Sequence, residues 1–172
     1  MKIIIIGCPG AGKSELAKRI NKFLCYPVLH LDRIYHTGGK SHITREELVT
    51  KVIDFANQHD NWIIDGNYIS TLEIRVKLAD TVVLLNIPSK ICLENVYKRA
   101  DENIKLCKIR DDMADGFDET ITAEFTDFIE NFEKDTMPRI YEILENNKNK
   151  NVKIFTSYEE VNEYINNLRK EL

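Results

Sequence analysis

The residues best equipped for chemistry stand at the start of the chain, in Gly7-Cys8-Pro9-Gly10-Ala11-Gly12-Lys13-Ser14. The spacing is G-x-x-x-x-G-K-S, preceded by the β-branched run Ile3-Ile4-Ile5-Ile6 and followed by the helical pattern Glu15-Leu16-Ala17-Lys18-Arg19-Ile20. Strand, glycine-rich turn and helix in that order are the context of a phosphate-binding loop. The glycines let successive N–H groups face one anion. The helix that opens near Gly12 adds its unpaired N–H groups and positive dipole end. Lys13 would set an ammonium on the β- and γ-phosphates, and the Ser14 hydroxyl would ligate Mg²⁺. With glycine at about 7% of residues, a chain of this length matches the motif by accident roughly once in a few hundred. Gly7, Pro9, Gly10, Ala11, Gly12, Lys13, Ser14 and Glu15 are therefore the expected nucleotide-binding set, with Mg-ATP as the ligand.

Three further stretches could serve that site. Asp32-Arg33 follows the short apolar run Pro27-Val28-Leu29-His30-Leu31, and a charged pair at the carboxyl end of a buried strand is where open α/β sheets bind ligands. An exposed loop pair is the alternative. Asn61-Trp62-Ile63-Ile64-Asp65-Gly66 is an apolar strand ending in an aspartate, the arrangement that brings a carboxylate to the magnesium of a phosphate loop. Asp65 could instead be a turn-former before Gly66. Asn67, Tyr68 and Arg75 then cluster beside that strand end. A helical pattern from Ile91 to Lys108 carries Lys98, Arg99, Lys105 and Lys108, with Arg110 just past it. A basic face of this kind can close over transferring phosphate as a lid, or be an ordinary solvated helix face.

These groups need a scaffold, and the rest of the sequence supplies one. Apolar strands are expected at Ile3–Ile6, Pro27–Leu31, Asn61–Asp65, Asp80–Ile87 and Val152–Phe155, the fourth nearly continuous in apolar residues and so central. Thr44-Arg45-Glu46-Glu47, Ser70-Thr71-Leu72-Glu73 and Ser157-Tyr158-Glu159-Glu160 read as capping boxes that open helices. Leu48, Val52, Phe55 and Ala56 make the buried stripe of one helix; Val161, Ile165 and Leu168 that of the last. Ile121, Phe125, Phe128 and Phe132 recur at helical spacing and read as core packing. The order β-α-β-α-β-α-β-α-α-β-α means a parallel sheet with helices on both faces.

At 172 residues the chain suits one well-buried core. Its 43% hydrophobic and 30% charged content is that of a soluble protein. No apolar run approaches the ~20 residues that span a bilayer, and the N-terminal isoleucines read as a core strand without a secretory signal. A cytoplasmic protein is expected, with no membrane partner. Cys8, Cys25, Cys92 and Cys107 form no C-x-x-C pair, so buried free thiols are expected, with Cys8 open to alkylation or oxidation. Net charge is −4, but residues 101–135 hold twelve acids against four bases, leaving the remainder at +4. No stretch forms the basic face of a nucleic-acid binder. The positive excess gathers near the phosphate loop and suits a small anionic ligand.

Beyond these readings, the chain resembles the topology modulation (FlaR-like) proteins, small nucleotide-kinase-like members of the adenylate kinase superfamily, over nearly its full length. The resemblance rests on Gly7 to Ser14, His30-Leu31-Asp32, Trp62-Ile63-Ile64-Asp65-Gly66-Asn67-Tyr68, Ser70-Thr71-Leu72-Glu73-Ile74-Arg75 and Ala79-Asp80-Thr81. It continues through Arg110-Asp111-Asp112-Met113 and Met137-Pro138-Arg139-Ile140. It implies a three-layer P-loop NTPase fold in one domain: a five-stranded parallel sheet in nucleoside monophosphate kinase order, an acceptor-side insert about 33–60 and a short lid about 98–118. By that likeness Asp32, Arg33, Asn67, Tyr68 and Arg75 face the phosphate acceptor, and Arg99 and Arg110 belong to the lid. Adenylate kinases carry Asp-Gly-aromatic-Pro-Arg after the third strand. Here Asp65-Gly66-Asn67-Tyr68-Ile69 lacks the arginine that holds the acceptor's phosphate.

The expected function is transfer of the γ-phosphoryl of Mg-ATP to a small acceptor, a nucleotide, nucleoside or hydroxylated metabolite. Lys13, Arg99 and Arg110 would stabilise the moving group, Ser14 and Asp65 would hold the metal, and Asp32 would orient or deprotonate the acceptor hydroxyl. The competing expectation is an ATP-dependent regulator or NTPase switch affecting DNA topology without a small acceptor. The acidic balance argues against direct DNA contact, because backbone affinity comes mainly from Lys and Arg. A monomer or homodimer fits either.

Overall fold

The isoleucine run forms the middle of the sheet, and its burial is complete: Ile3, Ile4, Ile5 and Ile6 are each 0% exposed. Burying one such side chain contributes about 1.5–3 kcal/mol, so this strand anchors everything built on it. The computed structural model describes residues 1–37, 41–106, 112–113 and 120–170. Its strands are β1 (Lys2–Gly7), β2 (Val28–His30), β3 (Trp62–Asp65), β4 (Thr81–Leu85) and β5 (Asn151–Phe155). All pair in parallel, in the order β2-β3-β1-β4-β5. Ile3 stands opposite Ile63 on one side and Thr81 on the other. This is the expected five-stranded order, and helices cover both faces.

Between strands run α1 (Lys13–Leu24), α2 (Leu31–Tyr35), α3 (Arg45–Gln58), α4 (Ile69–Leu78), α5 (Ser89–Leu106), α6 (Ala123–Glu130), α7 (Phe132–Asp135), α8 (Met137–Glu145) and α9 (Tyr158–Lys170). The Thr44 capping box is formed in full: the Glu47 amide donates to Thr44 Oγ1 at 3.2 Å, and the Thr44 amide donates to Glu47 Oε2 at 2.8 Å. Ser157 likewise accepts from the Glu160 amide. The box expected at Ser70 does not form. Helix α4 starts earlier, with Tyr68 as its cap residue, and Glu73 turns instead to Lys77 at 2.8 Å. Two short helices were not foreseen: α2, which turns Asp32-Arg33 into helix instead of strand-end loop, and α7. Val161, Ile165 and Leu168 are buried as expected. No helix among the described residues is long and apolar enough to cross a membrane.

Candidate active site

The parallel sheet points all five strand carboxyl ends to one side, and the chemistry gathers there. Between β1 and α1 the chain turns through Gly10 and Gly12, both at positive φ (84° and 90°). At Gly10 no other residue fits: an added Cβ would lie 2.1 Å from the Cys92 carbonyl oxygen of α5. The turn is also braced by side chains. Lys13 Nζ donates to the Cys8 carbonyl at 2.9 Å, which folds the ammonium over the loop. Asn95 Nδ2 donates to the Gly10 carbonyl at 3.0 Å and lies 2.8 Å from Tyr158 Oη.

A cavity of about 1110 Å³ opens from this loop. Pro9, Gly10, Gly12, Lys13, Ser14 and Glu15 line it, as does Lys18 one turn further along α1. Gly7 and Ala11 stand behind the loop, Ala11 fully buried. The opposite wall comes from α2 and the segment that leads from β3 into α4. There Tyr68 Oη donates to Asp32 Oδ1 at 2.6 Å, and Asn67 stands beside them. Burial, and then the negative charge of Asp32, push the Tyr68 phenol well above its ordinary range, so it remains a donor. His36 also lines this wall; burial pulls its imidazole down, only partly offset by Asp32, so it is neutral at physiological pH. Arg99 and Glu102 of α5, with Asp112 and the apolar Met113, complete the lining on that side. Arg110 lies outside the described residues.

Two arginines expected to face the acceptor do not. Arg33 is exposed on α2 and does not line the cavity. Arg75 is 0% exposed. Its guanidinium donates to the Gly66 carbonyl (3.0 Å), the Tyr68 carbonyl (2.9 Å) and Thr71 Oγ1 (3.0 Å). Burial pulls its pKa down to about 9, against the countering charge of Asp65. Arg75 is a brace that fixes the backbone on both sides of Asn67.

Asp65 also sits one layer below the cavity. It is 1% exposed, and its Oδ2 lies 2.9 Å from His30 Nδ1. Burial opposes charge on that imidazole, but the hydrogen bond and charge of Asp65, with Asp112 behind them, outweigh it and raise the His30 pKa. Among the described residues no group of three or more His, Cys, Asp or Glu forms a metal cluster. Mg²⁺ bound with ATP does not need one, because it takes one or two protein ligands alongside phosphate oxygens and waters. Ser14 on the cavity wall fits that demand.

No protein-family model and no curated protein sequence matches the chain. Solved structures do. A shikimate kinase from Acinetobacter baumannii in complex with shikimate is 16% identical, with a TM-score of 0.63 over 98% of this chain and 90% of that one. A deoxyadenosine kinase from M. mycoides, with dCMP and a flexible dCDP bound, is 17% identical, with a TM-score of 0.58 over 99% and 98%. The YorR protein of Bacillus subtilis is 17% identical, with a TM-score of 0.56 over 98% and 93%. The fold is that of the P-loop kinases.

Within that P-loop kinase fold several cavity residues escaped the sequence reading. Ile121, Phe125 and Phe128 were expected in the core; all three line the cavity, Ile121 and Phe125 while also packing against the core, and only Phe132 of that stripe is fully part of it. Periodicity places residues on one helix face and does not say whether the face meets core or cleft. Asn95 stands one helical turn before Arg99, so spacing from the recognised arginine would have found it. Tyr158 follows the carboxyl end of β5, where open sheets bind ligands. Cys8 is corrected in the other direction. It is 2% exposed, and its hydrogen bond to Cys92, together with burial, pushes its thiol far above the ordinary range. It is shielded where exposure was expected.

Proposed function

We propose that the protein transfers the γ-phosphoryl group of Mg-ATP to a hydroxyl of a small acceptor. The observation that carries this reading is the single cavity with the phosphate loop on one wall and the Asp32–Tyr68 pair on the other. Phosphoryl transfer asks little covalent work of a protein; it needs donor and acceptor aligned and negative charge neutralised. Lys13 would leave the Cys8 carbonyl for the phosphates, with Arg99 adding charge from α5 and Arg110 a further positive charge. Ser14 would ligate Mg²⁺, and Asp65 would contribute through water or through His30. Magnesium, when bound there, would supply positive charge against the charge that develops on the transferring group. Asp32, held by Tyr68, would align the acceptor hydroxyl and take its proton. Asn67 and the apolar wall of Ile121, Phe125 and Phe128 would hold the acceptor body. Likeness to a deoxyadenosine kinase and a shikimate kinase supports a small acceptor.

The test is ADP release from Mg-ATP with and without a panel of nucleosides, nucleoside monophosphates and hydroxylated metabolites. Lys13→Ala is expected to lower acceptor-stimulated release about 100-fold or more with an unchanged circular dichroism spectrum. Wild-type rates in that variant would refute the assignment. A release that no acceptor accelerates would favour a nucleotide switch.

A further inference from the structure

The two ends of the cavity differ in charge. Among the described residues that line it, the cations are Lys13 and Lys18 on the phosphate-loop side and Arg99 on α5. The facing wall, from α2 and the segment entering α4, presents Asp32, His36, Asn67, Tyr68, Ile69 and Ser70. None is a cation at neutral pH, since burial holds the His36 imidazole below its ordinary range. The nearby arginines do not line this wall: Arg33 is off the cavity, Arg45 donates to the Ser70 carbonyl from outside the lining, and Arg75 is fully buried with its N–H groups on Gly66, Tyr68 and Thr71. Asp32 has one carboxylate oxygen engaged by Tyr68. An acceptor phosphate, carrying close to two negative charges, would meet that carboxylate on a wall whose described lining holds no cation.

We propose that the acceptor is a phosphate-free alcohol, selected against its phosphorylated counterpart by the Asp32 carboxylate and the absence of an arginine among the described residues lining that wall. The inference rests on the phosphotransfer reading of the site and narrows its acceptor. In the reaction, the acceptor hydroxyl oxygen forms a bond to the γ-phosphorus, and the bond from that phosphorus to the β–γ bridging oxygen breaks. The hydroxyl proton passes to Asp32 and then to water. The products are ADP and a phosphate monoester. The monoester now carries the charge the wall repels, so it leaves and is not phosphorylated again at a neighbouring hydroxyl. Tyr68 acts here as a positioning residue: its hydrogen bond fixes which oxygen of Asp32 faces the acceptor.

Matched pairs test this: adenosine with AMP, deoxycytidine with dCMP, and glycerol with glycerol 3-phosphate. Initial ADP-release rates would be measured with wild type and Asp32→Asn. Binding of each compound would be measured by calorimetry in the presence of a non-hydrolysable ATP analogue. At least one alcohol is expected to be a substrate, with kcat/KM about 100-fold or more above that of its phosphorylated partner. Asp32→Asn is expected to lower turnover of the alcohol and to narrow the binding preference at least tenfold. A phosphorylated member used faster than its alcohol would overturn the inference and leave the kinase reading intact. Should no compound accelerate ADP release above the Lys13→Ala rate, the kinase reading falls, and the binding arm decides the wall's selectivity alone. Tighter binding of alcohols that is lost in Asp32→Asn would uphold it; equal binding of both members would overturn it.

Discussion

Replacing Arg75 separates a structural from a ligand-binding arginine. Its side chain is fully buried and spends three donors on the Gly66 and Tyr68 carbonyls and Thr71 Oγ1. Hydrogen bonds from a charged group are worth about 1.5–3 kcal/mol each. Against them stands the cost of desolvating the guanidinium, several kcal/mol, which shows in a pKa pulled down to about 9. The wild-type balance is therefore small, but truncation is not its mirror image. The Tyr68 carbonyl keeps bonds from the Thr71 amide and hydroxyl, whereas the Gly66 carbonyl loses the partner it has. One unmet buried carbonyl costs about 1–3 kcal/mol, and emptying a large buried site costs about 2 kcal/mol or more. Arg75→Ala should thus lower stability by about 3–5 kcal/mol. Arg75→Met, which fills the space, should cost about 1–3 kcal/mol. Urea unfolding at pH 7 measures both, with an unchanged m-value as the check that the unfolded state is the same. If Arg75→Ala unfolds within about 0.5 kcal/mol of wild type and instead raises KM for a phosphorylated acceptor tenfold, the brace is wrong and the side chain reaches ligand.

Three other expectations follow from the same contacts. Both amide atoms of Asn67 are buried without a partner among the described residues, so Asn67→Leu should leave stability unchanged or raise it by about 1 kcal/mol while weakening the acceptor; a stability loss above about 1 kcal/mol would mean the amide is satisfied. The raised pKa of His30 makes its pairing with Asp65 fully stabilising below the unfolded value of about 6.5. That contribution fades as pH rises through the folded pKa, so the melting-temperature gap between wild type and His30→Gln should shrink from pH 6 to pH 8.5, and a flat gap would refute the pairing. Cys25 is exposed while Cys8 and Cys92 are buried, so iodoacetamide with peptide mapping should label Cys25 first and Cys8 only on unfolding; equal rates would contradict the shielding.

The parts legible in the sequence are those whose side-chain types the backbone itself demands. Gly10 can be nothing else beside the Cys92 carbonyl, four consecutive isoleucines can only be a buried strand, and Thr44 with Glu47 names its own helix start. A parallel sheet followed because each strand was apolar and each crossover helical; the order of its strands came only from the resemblance. What misled were residues whose partners are backbone atoms or empty space. Arg75 looks from sequence like a cation near a phosphate site; its partners are carbonyls, which carry no signature in any residue type. Phe125 and Phe128 share the period of Phe132 but face the cleft, since a helix face reads the same against core or ligand. For Asp65, which ends its strand as a metal-binding aspartate would, the sequence did not signal that one carboxylate oxygen meets His30, at the paired position of the neighbouring strand. The same logic applies to the remaining charges. Lys13, Arg99 and Asp32 all stand on the cavity wall, but Lys13 already donates to the Cys8 carbonyl and Asp32 already accepts from Tyr68, so a bound molecule must replace or share a partner inside the protein to engage either of them.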